Sequence, residues 1–450
     1  MPFSDSSGES APPPGDAPAN RVPSRLMLAM RSLRHRNFRL FFGGQLISLV
    51  GTWMQNIAQA WLVYRLTGSS FLLGAVGFAS QIPVFVLAPV GGAVADRHNR
   101  HRIVIGTQAA SMLLAFILAG ITLARVVQVW HVVVLAALLG VVNAFDIPAR
   151  QAFIVEMVGK DDLMNAIALN SSMFNGARVI GPAIAGILVA SIGEGWCFFA
   201  NAVSYIAVIV GLLMMHVEKV VRLRDSTPLQ HIIEGFQFVR RTLPIRDLLL
   251  LLGLISLVGM PYSVLMPIFA DKILHSGARG LGILMGATGV GALIGALMLA
   301  AKSGVRGLGT WVAASAAAFG VTLILFSWSH WLWLSTFMLV PVGMAMMVEM
   351  ASSNTLIQAM VPDALRGRVM AVYSMMFMGM APFGALFAGA LADRLGAPFT
   401  ISVGAVACIF GAAVFWKRLP VLRVEARQLI IAQAAGGGEP VEQTTARGIS

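Results

Sequence analysis

Three groups of residues in this chain have the types and spacing to do chemistry. The first is the run Gly91-Gly92-Ala-Val-Ala-Asp96-Arg97-His98-Asn99-Arg100-His101-Arg102, which crowds one carboxylate, three arginines and two histidines into a short hairpin. Asp96 can bond the start of a following helix and attract Arg100 or Arg102. A charge cluster of this kind that bridged two bundles of helices would hold one conformation and break in another, so Gly92, Asp96, Arg97, Arg100 and Arg102 form a candidate gating loop. The second group is the pair of segments holding Asp146 and Arg178. Asp146 can pair Arg178, can bind and release a proton, or can simply be satisfied by Arg150 one turn on. The third group is the stripe Thr52, Gln55, Asn56 and Gln59, at i, i+3, i+4 and i+7 of an otherwise apolar helix. Polar groups in lipid need partners, so the stripe faces another helix or an aqueous cavity, the latter being the expectation here. Gln81, Tyr262, Asn354 and Tyr373 are further candidates for the cavity.

The elements that must position these groups are membrane helices. With 57% hydrophobic and 12% charged residues and a mean hydropathy of +0.80, the chain is far from the composition of a soluble domain. Apolar runs of spanning length occur at about 40–64, 71–95, 103–124, 130–149, 165–190, 196–216, 247–270, 280–301, 309–328, 331–352, 370–391 and 399–416. The expected fold is therefore all-α, a polytopic membrane protein of twelve transmembrane helices in two six-helix bundles. The corresponding divisions are a disordered N-terminal tail at 1–34, bundles at 35–216 and 247–418, a linker with a surface helix at 217–246, and a C-terminal tail at 419–450.

The net charge of +12 is a matter of topology. With both termini placed in the cytoplasm, 26 of the 32 Lys and Arg residues fall on that side. Arg65, Arg125, Lys272, Arg279 and Arg394 fall on the other, and Arg178 alone lies within the membrane. This is the positive-inside distribution, and charge sorted by sidedness argues against a nucleic-acid partner. The linker segment from Pro228 to Arg241 has apolar residues at helical spacing and fits a helix on the membrane surface or a solvated one equally well.

The two halves share a short internal repeat. Met157–Phe174 aligns with Met360–Phe377 at an offset of 203, which sets Ala168 on Ala371, Ser171 on Ser374 and, carried backwards, Asp146 on Glu349. Asp146, Arg178 and Glu349 are thus the candidates for proton coupling or charge relay. Internal repeats mark secondary transporters, in which two bundles rock about a central site. Gly176, Gly181, Pro182 and Gly186 form a small-residue face that lets one helix approach another, with Pro182 bending it. Gly282, Gly286, Gly289, Gly291 and Gly295 form another, read as packing.

No phosphate-binding Gly-x-x-x-x-Gly-Lys-[Ser/Thr] loop is present, and no His or Cys spacing suits a metal. Cys197 and Cys408 lie in apolar runs and read as packing residues. His35, His98, His101 and His231 read as solvated members of basic segments. An enzyme is not expected, nor a bound cofactor.

The motif Gly-x-x-x-Asp-Arg-x-x-Arg-x-Arg from Gly92 to Arg102 resembles the loop between the second and third helices of the major facilitator superfamily, and the resemblance extends over nearly all of 35–418. Trp53-Met-Gln-Asn-Ile-Ala-Gln-Ala-Trp-Leu-Val-Tyr, Pro148-Ala-Arg150-Gln151-Ala, Arg178-Val-Ile-Gly-Pro-Ala and Leu365-Arg366-Gly-Arg368-Val-Met are most similar to its enterobactin-exporter-like branch, the transmembrane secretion effectors. The resemblance implies a proton-coupled exporter of siderophore-like or drug-like small molecules in the bacterial inner membrane, driven by the proton motive force and working as a monomer. Antiporters of the superfamily have a longer glycine–proline motif than the one at Gly176–Gly186. A lipid flippase or facilitated-uptake transporter of the same fold is the alternative, and a non-transporting scaffold or sensor the alternative from another class. Gly389-Ala-Leu-Ala-Asp393-Arg394-Leu is a near-copy of the gating loop, expected on the outer face and therefore not the same gate.

Overall fold

In hydrocarbon there is no water to satisfy a bare backbone, so apolar runs of this length must close their hydrogen bonds internally, as helices. The computed structural model describes residues 30–159, 161–216, 228–302 and 304–436, with the side chains of 228–232 and 434–436 left aside. The tail up to residue 29, Lys160, the linker stretch 217–227 with Lys219, Arg222 and Arg224, and the segment beyond 436 with Arg447 lie outside the described residues, as does the His231 side chain.

Thirteen α-helices occur among the described residues, and no strands. They are α1 Arg36–Thr67, α2 Ser70–Arg97, α3 Arg100–Leu123, α4 Val129–Val158, α5 Leu163–Ile192, α6 Glu194–Leu213, the linker helix α7 Pro228–Arg241, α8 Leu243–Ile273, α9 Gly277–Ala300, α10 Leu308–Ser327, α11 Leu332–Met360, α12 Asp363–Leu395 and α13 Ala397–Gly436. Eleven of these are long and apolar enough to cross a membrane. At 32 residues α1 is as long, but its polar stripe lowers its hydropathy. α8 is interrupted by π-turns at Ile255–Gly259 and Phe269–Ile273, and α12 by a turn at Gly379 and Met380.

Turns and caps are local. Gly68 ends α1 at a φ of +61°, a left-handed position suited to glycine. The Ser69 side chain then accepts from the Leu72 N–H to open α2. Asn99, not Asp96, caps α3 by accepting from the Arg102 N–H at 3.1 Å.

In the first half, α1 packs on α5 and α6, α2 on α4, and α3 on α4 and α6. In the second, α11 packs on α9 and α10, and α13 on α8 and α10. The halves meet through α5 against α9 and α2 against α12. Both seams depend on missing side chains. A Cβ on Gly282 would stand 2.6 Å from the Pro182 carbonyl oxygen and 2.7 Å from the Gly186 Cα, so the α5–α9 crossing admits only hydrogen there. Gly74 of α2 is equally tight against the Ala385 carbonyl of α12, at 2.3 Å. Outward-facing residues such as Val86, Leu113, Ile187 and Phe410 are apolar and exposed, as lipid requires.

The linker helix has a tertiary partner of its own. It docks on α12, with Gly235 against the Arg368 carbonyl oxygen and Glu234 paired to the Arg368 guanidinium.

Candidate functional site

The α2–α3 turn builds a charge cluster around Arg100, not Asp96. The Arg100 guanidinium, 8% exposed, donates to Asp96 Oδ1 at 3.0 Å, to Glu156 Oε1 of α4 at 3.0 Å and to the Ala95 carbonyl at 3.1 Å. Asp96 itself is 60% exposed, and Arg97 and Arg102 project outward. Every partner belongs to the first half. In this conformation Arg100 therefore makes no bridge between the halves among the described residues, its second carboxylate coming from Glu156 of the neighbouring α4. Nothing in the sequence marks Glu156, which lies more than fifty residues from the motif. The glycine requirement also shifts by one position. A Cβ on Gly91 would stand 2.0 Å from the Ala144 carbonyl oxygen, whereas one on Gly92 meets nothing within 4 Å.

The bridge between halves lies at the other end of α2. Asp393, near the end of α12, accepts from the Ser70 N–H at 2.7 Å, the Phe71 N–H at 3.2 Å and the Ser69 hydroxyl at 3.1 Å. A carboxylate from one half thus sits on the free N–H groups and positive dipole end of a helix from the other. At 28 residues α2 is roughly 42 Å long, so Asp393 and Asp96 lie on opposite faces. On the Asp393 face, the Tyr64 hydroxyl of α1 donates to Asp271 Oδ2 of α8 at 2.7 Å, a second tie between halves. Arg65 holds Glu194 with two hydrogen bonds within the first half. The near-copy ending at Asp393 was the sequence signal for this tie. Nothing in the sequence marks Tyr64 and Asp271, which are 207 residues apart.

Within the helices, Asp146 and Glu349 are both buried, 4% and 1% exposed, at the equivalent positions set by the repeat. Their surroundings differ. Asp146 has Arg150 at 3.2 Å, the Thr107 hydroxyl at 2.7 Å and the Gln108 amide at 3.0 Å. That set answers the charge locally and leaves no role for a pairing with Arg178. Glu349 receives only the Ser353 hydroxyl, at 3.1 Å, and no cation pairs with it among the described residues. Arg178 likewise has no carboxylate partner among the described residues; it lies over the Trp53 ring, 5.7 Å from its centre. The Arg178 backbone abuts Gly289 of α9, and Tyr262 of α8 lies within its electrostatic reach. It therefore sits where α1 and α5 meet the second half.

The polar stripe of α1 divides. Gln55 accepts from the Asn201 side-chain amide at 2.7 Å and so seals α1 to α6, while the half-buried Thr52 donates to the Ser48 carbonyl of its own helix at 3.0 Å. Gly51 makes the approach possible: its Cβ would stand 2.5 Å from Asn201 Oδ1. Asn56 and Gln81 are exposed and Gln59 half-buried. Tyr262 and Tyr373 are buried, against Phe319 and through a hydrogen bond to the Met350 carbonyl, so neither opens to a cavity here. Asn354 takes the Gln358 amide of its own helix.

Of the small-residue face, Gly181 packs on Trp53 and Met54 of α1, and Gly186 on Gly282, with Pro182 between them; Gly176 has open space around it. The glycines of α9 serve packing, as expected: Gly291 and Gly295 seat on α11, and Gly282 and Gly289 on α5. Gln151 is exposed, and Arg366 pairs Asp363 on its own helix. His35 pairs Asp162 at 2.7 Å and His101 meets the Leu212 carbonyl at 2.8 Å, so these two are tied down and not free in solvent. Among the described residues no group of His, Cys, Asp and Glu could hold a metal.

Residues 28–443 match the family described as transmembrane secretion effector. Among curated proteins, the chain is 26% identical to the staphyloferrin A transporter of Staphylococcus aureus, over 84% of this chain and 95% of that one. It is 25% identical to the enterobactin exporter EntS of Shigella boydii, over 88% and 93%. Among solved structures, the nucleoside transporter NupG superposes with a TM-score of 0.68 at 13% identity, covering 86% of this chain and 99% of that one, a likeness of fold.

Proposed function

This chain belongs to the transmembrane secretion effector family, the enterobactin-exporter-like branch of the major facilitator superfamily, and from that premise we propose that it exports a siderophore-like small molecule by alternating access in exchange for protons. The twelve long helices form two six-helix bundles with both chain ends in the cytoplasm, an orientation supported by the sorting of lysine and arginine. The observation that carries the reading is the asymmetry of the ties. Asp393 and the Tyr64–Asp271 bond join the halves on the face away from the chain ends. On the chain-end face Arg100 binds Asp96 and Glu156, both of the first half, and makes no bond to the second half among the described residues. In the proposed orientation the outer gate is shut and the cytoplasmic side is free to load, as an exporter requires.

Glu349 is the proposed proton carrier. A buried carboxylate with one hydroxyl partner is costly as an anion, and taking up a proton removes the charge. Asp146, at the equivalent position, is neutralised by Arg150 and serves structure. Arg178, held over Trp53 at the junction of the halves, is the proposed contact for an anionic substrate.

The test is uptake of enterobactin and of staphyloferrin A into inside-out proteoliposomes with an imposed proton gradient. Uptake is expected to stop when a protonophore collapses the gradient. Glu349→Gln is expected to lose gradient-driven accumulation while inserting normally. Flux unchanged by the protonophore would replace antiport with facilitated transport, and absence of flux for both probes and for a panel of drugs would remove the export reading.

A further inference from the structure

A cavity of about 630 Å³ opens in the second half at the chain-end face, bounded by α8, the α9–α10 connection, α11 and α13. That volume is in the range of sites that hold a small molecule. Its wall is apolar, with Leu248, Leu356, Met360, Phe415, Leu419 and Leu422. Three arginines, Arg306, Arg423 and Arg427, also line it, and no acidic residue does. Arg423 donates to the Thr310 hydroxyl. Neither Arg306 nor Arg427 meets a carboxylate among the described residues. The contrast is local: Arg418 of the same α13 pairs Asp247 at 2.9 Å, with Arg246 beside it. The arginines of the cavity thus have no carboxylate partner among the described residues and stand beside an apolar wall.

Depth identifies what completes them. α13 starts on the opposite face at Ala397 and runs for 40 residues, nearly twice what a bilayer core needs. At 1.5 Å per residue, Arg423 and Arg427 lie roughly 39 and 45 Å along the axis. A bilayer with its headgroups is about 40–45 Å thick, so both guanidinium groups reach the level of the lipid phosphates while Phe415 and Leu419 remain at acyl depth. Arg423 and Arg427 share one face of α13 with Leu419, Leu422 and Ile430, all lining the cavity, so charge and apolar wall belong to a single continuous surface.

We propose that this cavity is a site for an anionic phospholipid of the adjacent leaflet, its chain against the leucine, methionine and phenylalanine wall and its phosphate on Arg306, Arg423 and Arg427. Basic pockets between membrane helices recognise such headgroups through charge and bidentate hydrogen bonds. The site lies wholly within the second half, away from the seams α2–α12 and α5–α9, so it stands whether or not the transport reading does.

The experiment is native mass spectrometry of delipidated full-length protein titrated with phosphatidylglycerol, with phosphatidylcholine and with inorganic phosphate. Phosphatidylglycerol is expected to bind in preference to phosphatidylcholine, and phosphate is expected not to displace it. Each Arg→Gln substitution is expected to weaken binding about fivefold, and the triple variant about a hundredfold. Leu422→Trp, which fills the cavity and keeps the arginines, is expected to lose binding as well. Equal binding of both lipids, displacement by phosphate, or unchanged binding by Arg427→Gln alone would each overturn the proposal. That last variant sits on the exposed extension of α13 and keeps the test alive if the triple variant does not fold.

Discussion

Replacing Asp393 with Ala should release the tie between the two halves on the face away from the chain ends. The carboxylate accepts from two backbone N–H groups in the first turn of α2 and from the Ser69 hydroxyl. Ser69 already caps α2 through the Leu72 N–H, so the helix itself survives the change. What is lost is a carboxylate at a helix start, about 0.3–1 kcal/mol where exposed, together with capping bonds worth about 1 kcal/mol. Asp393 is exposed, so the lower part of the combined range applies, about 1–2 kcal/mol. That free energy acts on the balance between the latched and released states and changes their ratio roughly 5- to 30-fold. The assay is pulsed electron spin resonance between labels at Val126→Cys and Trp331→Cys, which lie in different halves on that face and are both exposed. The two native cysteines are buried and should not take label. Wild-type protein should give one short distance. Asp393→Ala should add a longer one, and Asp393→Asn, which keeps an acceptor oxygen and loses the charge, should fall between. A distance distribution unchanged by Asp393→Ala would refute the argument that this carboxylate latches the two halves on that face.

The cluster at the other end of α2 should behave as a structural unit: Arg100→Ala removes the buried guanidinium that ties Asp96, Glu156 and the Ala95 carbonyl together and should cost about 1–3 kcal/mol in thermal denaturation in detergent, whereas Asp96→Asn should cost less than about 1. Equal costs would restore Asp96 as the key residue. Gly91→Ala must displace the backbone at Ala144 and should lower the melting temperature, while Gly92→Ala should leave it unchanged; the reverse order would mean the α2–α4 packing is misplaced. Gln55→Leu should destabilise by about 1–3 kcal/mol by leaving the Asn201 amide unpaired, and Asn56→Leu should be nearly neutral in the same melting measurement. Gly282→Leu should block the α5–α9 approach, so that a protein still inserted in the membrane shows no transport in the proteoliposome assay.

Much of the site was legible from residue order because its determinants are local or periodic. The repeat offset set Asp146 against Glu349, and both are buried at matching places in α4 and α11. Arg150, four residues from Asp146, was readable as its partner from helical spacing, and the structure realises that pairing over the longer-range one to Arg178. The stripe from Thr52 to Gln59 was visible, but its division was not. Which side of α1 meets α6 depends on Gly51 fitting against Asn201 and Ser204, a contact across 150 residues. Glu156 and Asp271 carry no signal in the sequence for the same reason, since each acquires the partner seen here only when distant helices pack.

By itself the sequence determined the helices, their membrane character and the family, because length, hydropathy and motif spacing are properties of one segment at a time. It also determined that a carboxylate and arginines would meet in the turn 96–100, where a two-residue connection between helices keeps Asp96 and Arg100 within reach of each other. Only the tertiary structure decided which charges tie the halves. Asp96 pairs within its own half because Arg100 lies within reach across the short turn, and its near-copy Asp393 crosses to the other half because the glycine seam of α2 and α12 brings the bare N–H groups of Ser70 and Phe71 to it. Helix against helix, a few ångströms of backbone approach choose the partner of a charge, and those distances are set by packing across the whole chain.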